Sequence, residues 1–412
     1  TLSEGTVVLT VRDPDITTIG DMNLASERVP IEAPFFECKA LLRVDLKGCT
    51  KLTSVGTGAF AGCYSLTSVV LPDSLTQLGE YAFQKCTSLT SMVLPDSLTQ
   101  LGDAAFDRCT SLTSMVLPDS LTQVGDFAFS ECTSLTSVVL PDSLTQLGYN
   151  VFGKCTSLTS MVLPDSLTQL CERVFAECTS LTSVVLPDNI TQIGISAFLR
   201  CTSLTSVLLS NSLMQLGEAA FGGCTSLTSV VLPDSLTQLG IAAFCECTSL
   251  MSVVLPDSLT QLGENAFQDC TSLTSIVLPD SVTEIGKWTF LRCSSLMYVV
   301  VPDSAELGDE VFDECDALLQ KATLAGFDSV ELYLRDRYKS ITLRKLVLRL
   351  LRKYNKAVND ADGTEAEKHA SALAQFPADD SGSLEVGLFL QKMNISGGDG
   401  EKGLVGYILK FV

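Results

Sequence analysis

The chain has one histidine, His369, and one tryptophan, Trp288, in 412 residues. A lone histidine leaves no partner for a metal pair and no base for a nucleophile triad. It sits among Glu365, Glu367 and Lys368 in the sequence, which reads as a solvated helical stretch. Basic residues are also scarce, 27 against 48 acidic ones, for a formal charge of −21. The shortage is local, because residues 316–412 hold 14 basic and 13 acidic side chains, which leaves the negative charge on residues 1–315. An acidic surface of this kind disfavours nucleic acid and anionic lipid and favours basic partners. No apolar run approaches the roughly 20 residues needed to span a bilayer. Gly398-Asp399-Gly400 fits no phosphate-loop pattern, and Cys245-x-Cys247 lacks the second cysteine pair of a zinc site. Neither a cofactor nor a metal nor a catalytic group is therefore expected.

What the chain has is repetition. Eleven cysteines, Cys63 to Cys293, recur every 23 residues, and Cys315 follows one residue early. The intervening residues repeat close to C-T-S-L-T-S-V-V-L-P-D-S-L-T-Q-L-G-x-x-A-F-x-x. A fixed period of this size implies a solenoid, in which each unit buries its apolar side only against its neighbours. One cysteine per turn, in register, reads as a ladder of buried thiols. Their side chains all point the same way, which is poor geometry for disulfides. The phenylalanines from Phe60 and Phe83 to Phe290 and Phe312 form a second column, an aromatic spine.

Within the unit Cys86–Phe106, Leu89, Met92 and Leu94 alternate with outward Val93, the periodicity of a strand. Pro95 ends the strand, because it has no N–H for a ladder. Asp96 and Ser97 turn the chain through side-chain hydrogen bonds to nearby backbone. Leu98 and Leu101 return to the core, and Gly102 allows a tight turn before Ala105-Phe106. The glycine column is broken once, by Cys171, which suggests that a left-handed backbone is not strictly required there.

The string L-x-x-L-x-L-P-x-x-L-x-x-[LI]-G-x-x-A-F-x-x-C resembles the BspA-like class of leucine-rich repeat over residues 7–315. The resemblance implies an α/β-type solenoid. This is a right-handed leucine-rich-repeat superhelix with a parallel β-sheet on its concave face. It also implies protein-binding or adhesive roles and no catalytic residues. The expected division is an N-terminal cap with irregular repeats (1–62), regular repeats (63–315), and a helical cap with a small α+β C-terminal segment (316–412). The resemblance leans to a cell-surface or secreted setting. Unpaired thiols suit a reducing compartment equally, so an intracellular or organellar assembly stays open.

Three surfaces are candidates for function. The first is the outward strand row of Val93, Val116, Val139, Val162, Val185, Leu208, Val231 and Val254, flanked by Ser91, Ser114 and Ser137. This row is uncharged and mildly apolar, as contact surfaces are, although a sheet also tolerates β-branched residues for its own sake. The second is the edge carrying an aspartate column from Asp73, Asp96, Asp119, Asp142, Asp165 and Asp188 on through Asp234, Asp257, Asp280 and Asp303, interrupted only by Asn211 and read either as cation or lysine sites or as a repeated turn. The third comprises the four residues flanking each Ala-Phe pair, which change in every unit and offer the only unit-specific recognition. A uniform scaffold suits an extended, repetitive or basic protein partner. The stretch Arg335–Lys356 is basic, and Arg344, Lys345, Arg349, Arg352 and Lys353 are the candidates for docking a partner. Membrane contact, if any, falls to residues 341–356. A structural spacer anchored through this stretch is the alternative reading.

Overall fold

In the computed structural model, residues 7–11, 13–20, 35–302 and 304–337 are described. They fall into two compact units, one ending at Thr225 and the other beginning at Ser226. Each unit is built from parallel, in-register turns of a solenoid.

Two short strands recur per turn. In the first unit, Ser114–Val116 pairs with Ser137–Val139, and Ser160–Val162 pairs with Ser183–Val185. A second ladder runs through Thr18–Ile19, Ser54–Val55, Gln77–Leu78, Gln100–Leu101, Gln123–Val124 and Gln146–Leu147. In the second unit, Ser229–Val231 pairs with Ser252–Val254 and Ser275–Val277 with Tyr298–Val300. The register equals the sequence period, so like residues stack on like. Ser91–Val93 carries no strand, and Leu208 joins Val185 only through an isolated bridge.

The core is built from columns. Leu89, Leu98, Ala105, Phe106 and Cys109 are fully closed to solvent, as are their counterparts in neighbouring turns. Phe35, Phe60, Phe83 and Phe106 stack with ring centroids 5.2, 5.3 and 5.6 Å apart. The same stacking runs on to Phe221 in the first unit, and from Phe244 to Phe312 in the second. Phe35 thus joins the spine one turn before the regular repeat begins. Each such ring contributes roughly 1.5–3 kcal/mol relative to exposure.

All 16 cysteines are free thiols. The column cysteines have a polar role that their spacing does not reveal. Cys109 Sγ donates to the carbonyl of Phe83, and Cys132 Sγ to that of Phe106, each at 3.1 Å. Each of these carbonyls also accepts a backbone N–H within its own turn, Phe83 O from Cys86 and Phe106 O from Cys109, both at 3.1 Å, so the thiol supplies a second bond once per unit. Loss of hydration pushes these thiols up, to about 12 for Cys63, Cys178, Cys224 and Cys315.

The glycine column has a different cause from a left-handed turn. A Cβ on Gly102 would lie 2.6 Å from Glu80 N, and one on Gly217 would lie 2.6 Å from Gly194 C. The column therefore permits close approach of successive turns. Left-handed backbone occurs instead at the variable positions, including Tyr81, Lys85, Ala104, Arg108, Phe127, Glu131 and Ala242. The turn after the strand also differs from expectation. Leu98 N–H donates to Pro95 O at 3.0 Å, and Ser97 Oγ donates to Leu75 O of the preceding turn at 2.6 Å. Asp96 contributes no such bond among the described residues; its carboxylate is solvated, because the proline and serine already close the turn.

Among the described residues helices are few, since a turn this short is used up by two strands and their connections. After Cys315, helix α1 (Asp316–Leu324) covers the last turn with Leu318 and Ala322 buried, and α2 (Val330–Arg337) follows. The rest of the α+β segment expected after residue 337, and residues 21–34 of the expected N-terminal cap, lie outside the described residues.

Candidate functional site

The outward strand row is open in the first unit. Val93 is 84% exposed, and Val116, Val139, Val162, Val185 and Leu208 are 57–68% exposed. The pleat sends Met92, Met115, Val138, Met161 and Val184 inward, so their neighbours must face out. Beside them, Ser91, Ser114 and Ser137 are exposed, and their hydroxyls make no hydrogen bond to a described residue. The adjacent threonines differ. Thr113 Oγ1 donates to Thr90 O at 3.2 Å, and Thr136 Oγ1 to Thr113 O at 3.0 Å. The row thus offers apolar valines and uncommitted serine hydroxyls, with the threonines already spent on the scaffold.

In the second unit the row closes. Val231 and Val254 are half-buried, and Val277 and Val300 are 4% exposed. Ser275 is buried, and its column is taken over by Tyr298, over whose ring Lys321 Nζ sits at 3.5 Å from the centroid. The valine identity is the same in both units, so sequence alone carried no sign of this change. Arg344, Lys345, Arg349, Arg352 and Lys353 lie outside the described residues.

The aspartate edge holds no metal cluster, since no group of three or more potential ligands converges among the described residues. Nor is any described helix long and apolar enough to cross a membrane. The lateral surface is the third candidate. There, the N–H groups of Tyr81, Phe83 and Lys85 donate to the carbonyls of Asp103, Ala105 and Asp107 at 2.7–2.8 Å. These bonds form a further ladder that fixes the backbone under the variable side chains.

Comparison with known proteins places this architecture. A leucine-rich repeat protein from Bacteroides ovatus aligns over 80% of this chain and 95% of its own, at 29% identity and a TM-score of 0.60. A leucine-rich cell surface protein from Faecalibacterium prausnitzii aligns over 73% of this chain and 85% of its own, at 26% identity and a TM-score of 0.45. A leucine-rich repeat protein from T. pallidum shares 36% identity over 38% of this chain and 72% of its own, with a TM-score of 0.36. A search of the curated proteins found no match. Proteins of this architecture are generally non-catalytic scaffolds that act through interactions. The family model for the BspA type leucine-rich repeat region matches residues 29–156, 100–228 and 215–331, and the chain belongs to that family.

Proposed function

We propose that the chain is a non-catalytic recognition scaffold that binds an extended protein segment along the open strand row of its first unit. The observation that carries this reading is the row itself: six apolar residues from Val93 to Leu208, each at least 57% exposed, in consecutive turns. An uncharged strip of this length is rare on a surface without a partner. Its spacing of about 4.8 Å per turn sets a repeating series of contacts suited to an extended chain. The free hydroxyls of Ser91, Ser114 and Ser137 supply polar contacts beside it.

The test uses the full chain and a triple variant, Val116→Glu, Val139→Glu and Val162→Glu. These side chains leave the core untouched, so the variant keeps the wild-type fold. A protein retained by the immobilised wild type at moderate salt and lost by the variant supports the reading. Equal retention by both shows that this face does not do the binding.

A further inference from the structure

The unit-specific surface contains one place where the repeat is broken in a concerted way. Alternate turns present Tyr81 and Phe127 in one column, and the intervening turn presents Ala104. All three residues have left-handed backbone and are pinned by the lateral ladder, for example Ala104 N–H to Asp126 O at 2.7 Å. Alternate turns are separated by on the order of 10 Å at strand spacing. The small Ala104, only 4% exposed, forms a floor between the two aromatic positions. These residues line a groove of about 530 Å³ together with Asp103, Asp107, Asp126 and Tyr149, and the cations Arg108, Lys154 and Arg173 also border it. Phe127 is 40% exposed, and its ring meets Tyr149 edge-on, with centroids 4.9 Å apart.

The charges around the groove are unequally used. Asp107 is only 8% exposed. Its Oδ2 accepts a hydrogen bond from Gln84 Nε2 at 3.0 Å, while Oδ1 accepts none from a described residue. The cation beside it, Arg108, is drawn away. Arg108 Nε stands 4.0 Å from Asp107 but donates to Glu131 at 2.9 Å, and Nη2 reaches the same carboxylate at 3.4 Å. Lys154 also binds Glu131, at 3.6 Å. Arg108 and Lys154 are thus committed to Glu131, and although the charges of Arg108 and Lys85 reach Asp107, no cation makes a hydrogen bond to its carboxylate among the described residues. Across the groove, Asp103 Oδ1 accepts Asp126 N–H at 2.8 Å, and Asp126 Oδ1 accepts Tyr149 N–H at 2.7 Å. These bonds hold each carboxylate in place and leave its other oxygen available.

We propose that this groove binds the guanidinium group of an arginine in a basic peptide. A planar cation in the groove gains attraction to the exposed aromatic rings that line it, and a nearly buried carboxylate with an uncommitted oxygen receives its N–H fork. An ammonium lacks the planar fork and matches the carboxylate less well. The acidic character of the first 315 residues draws such peptides in. The groove lies on the lateral columns, apart from the outward strand row, and the assignment is independent of that row's function.

Calorimetric titration of the full chain at 0.15 M salt tests this, with blocked tetra-arginine, tetra-lysine, tetra-glutamate and the neutral sugar maltotetraose as probes. The expected result is binding of tetra-arginine, with tetra-lysine at least fivefold weaker. Asp107→Asn and Tyr81→Ala should each weaken tetra-arginine about tenfold. Asp165→Asn, which removes an exposed carboxylate elsewhere in the same unit, should change it less than twofold. Equal losses in all three variants would mean that general acidity, not the groove, holds the peptide, and would overturn the assignment. So would unchanged affinity in Asp107→Asn and Tyr81→Ala, or binding of maltotetraose without tetra-arginine.

Discussion

At the scale of single residues, the left-handed positions are the least economical part of the chain. Each turn places two residues there, and most are not glycine. A side chain in that region costs roughly 1–2 kcal/mol. The cost is offset by the ladder those residues support, as at Ala242, whose N–H donates to Glu264 O at 2.8 Å. Ala242→Gly keeps the ladder and removes the clash, at the expense of a more flexible unfolded chain. A net gain of about 0.5–1 kcal/mol is expected, read as a higher denaturation midpoint. The opposite holds for Gly102→Ala, where the new methyl meets backbone at 2.6 Å. The two turns must separate, and a loss of about 1–3 kcal/mol is expected in the same measurement. Both positions follow from the structure alone. Cys171 in the glycine column already speaks against a left-handed turn there, whereas the left-handed sites fall on Tyr, Lys, Arg, Phe and Glu, which carry no sequence signal.

Asp107 gives a pH-dependent prediction at the same scale. Burial raises its pKa, and the Gln84 hydrogen bond and the Arg108 charge only partly oppose that. The folded state therefore holds this proton to higher pH than the unfolded chain does. The contribution of Asp107 to stability is greatest below the ordinary aspartate range, and is lost as pH rises through the raised value. Asp107→Asn mimics the protonated form, so at neutral pH the variant should melt no lower than wild type. A lower melting temperature at pH 7 would show that the ionised carboxylate has a compensating partner within the protein.

At the scale of elements, the thiol column and the phenylalanine column act together, since each cysteine donates to the carbonyl of a phenylalanine in the preceding turn. Their spacing was legible because a strict period needs no knowledge of the fold. The hydrogen bond between them was not legible, since alanine and cysteine look alike as small core residues. Alkylation of the native protein near pH 8, followed by mass mapping, should therefore find the column cysteines inert. Burial raises their pKa and blocks access to the reagent. Cys38, Cys171 and Cys245 are only half-buried and should react before any of them. Burial holds Cys245 at about 11 and also raises Cys171, so both should react slowly. Rapid labelling of Cys109 or Cys132 in folded protein would mean that the turns open to water. Cys132→Ala keeps the packing volume nearly unchanged and removes one of the two hydrogen bonds that Phe106 O accepts, the Cys109 N–H remaining, and should cost about 0.5–1.5 kcal/mol.

At the scale of the whole molecule, the repeat makes each turn exchangeable for its neighbour, and this limits how far a local change can spread. Contacts in a solenoid join only adjacent turns, so stability is close to a sum of local terms. The exposure of the strand row shows the limit of that uniformity: Val162 is 68% exposed and Val277 is 4% exposed, although both occupy the same place in the unit. Identity fixes which way a side chain points, while the environment above the sheet decides what it meets. Deleting Thr179–Cys201 removes one full period, joins Cys178 to Thr202, and restores the same register. The deletion lies beyond Arg173, the last residue lining the arginine groove. The shortened chain should fold cooperatively and lose Val185 from the strand row. It should bind tetra-arginine within twofold of wild type. Circular dichroism and the same titration check both points. If the deletion unfolds the protein, long-range coupling holds the turns together. The additive picture of one turn supporting the next would then be wrong.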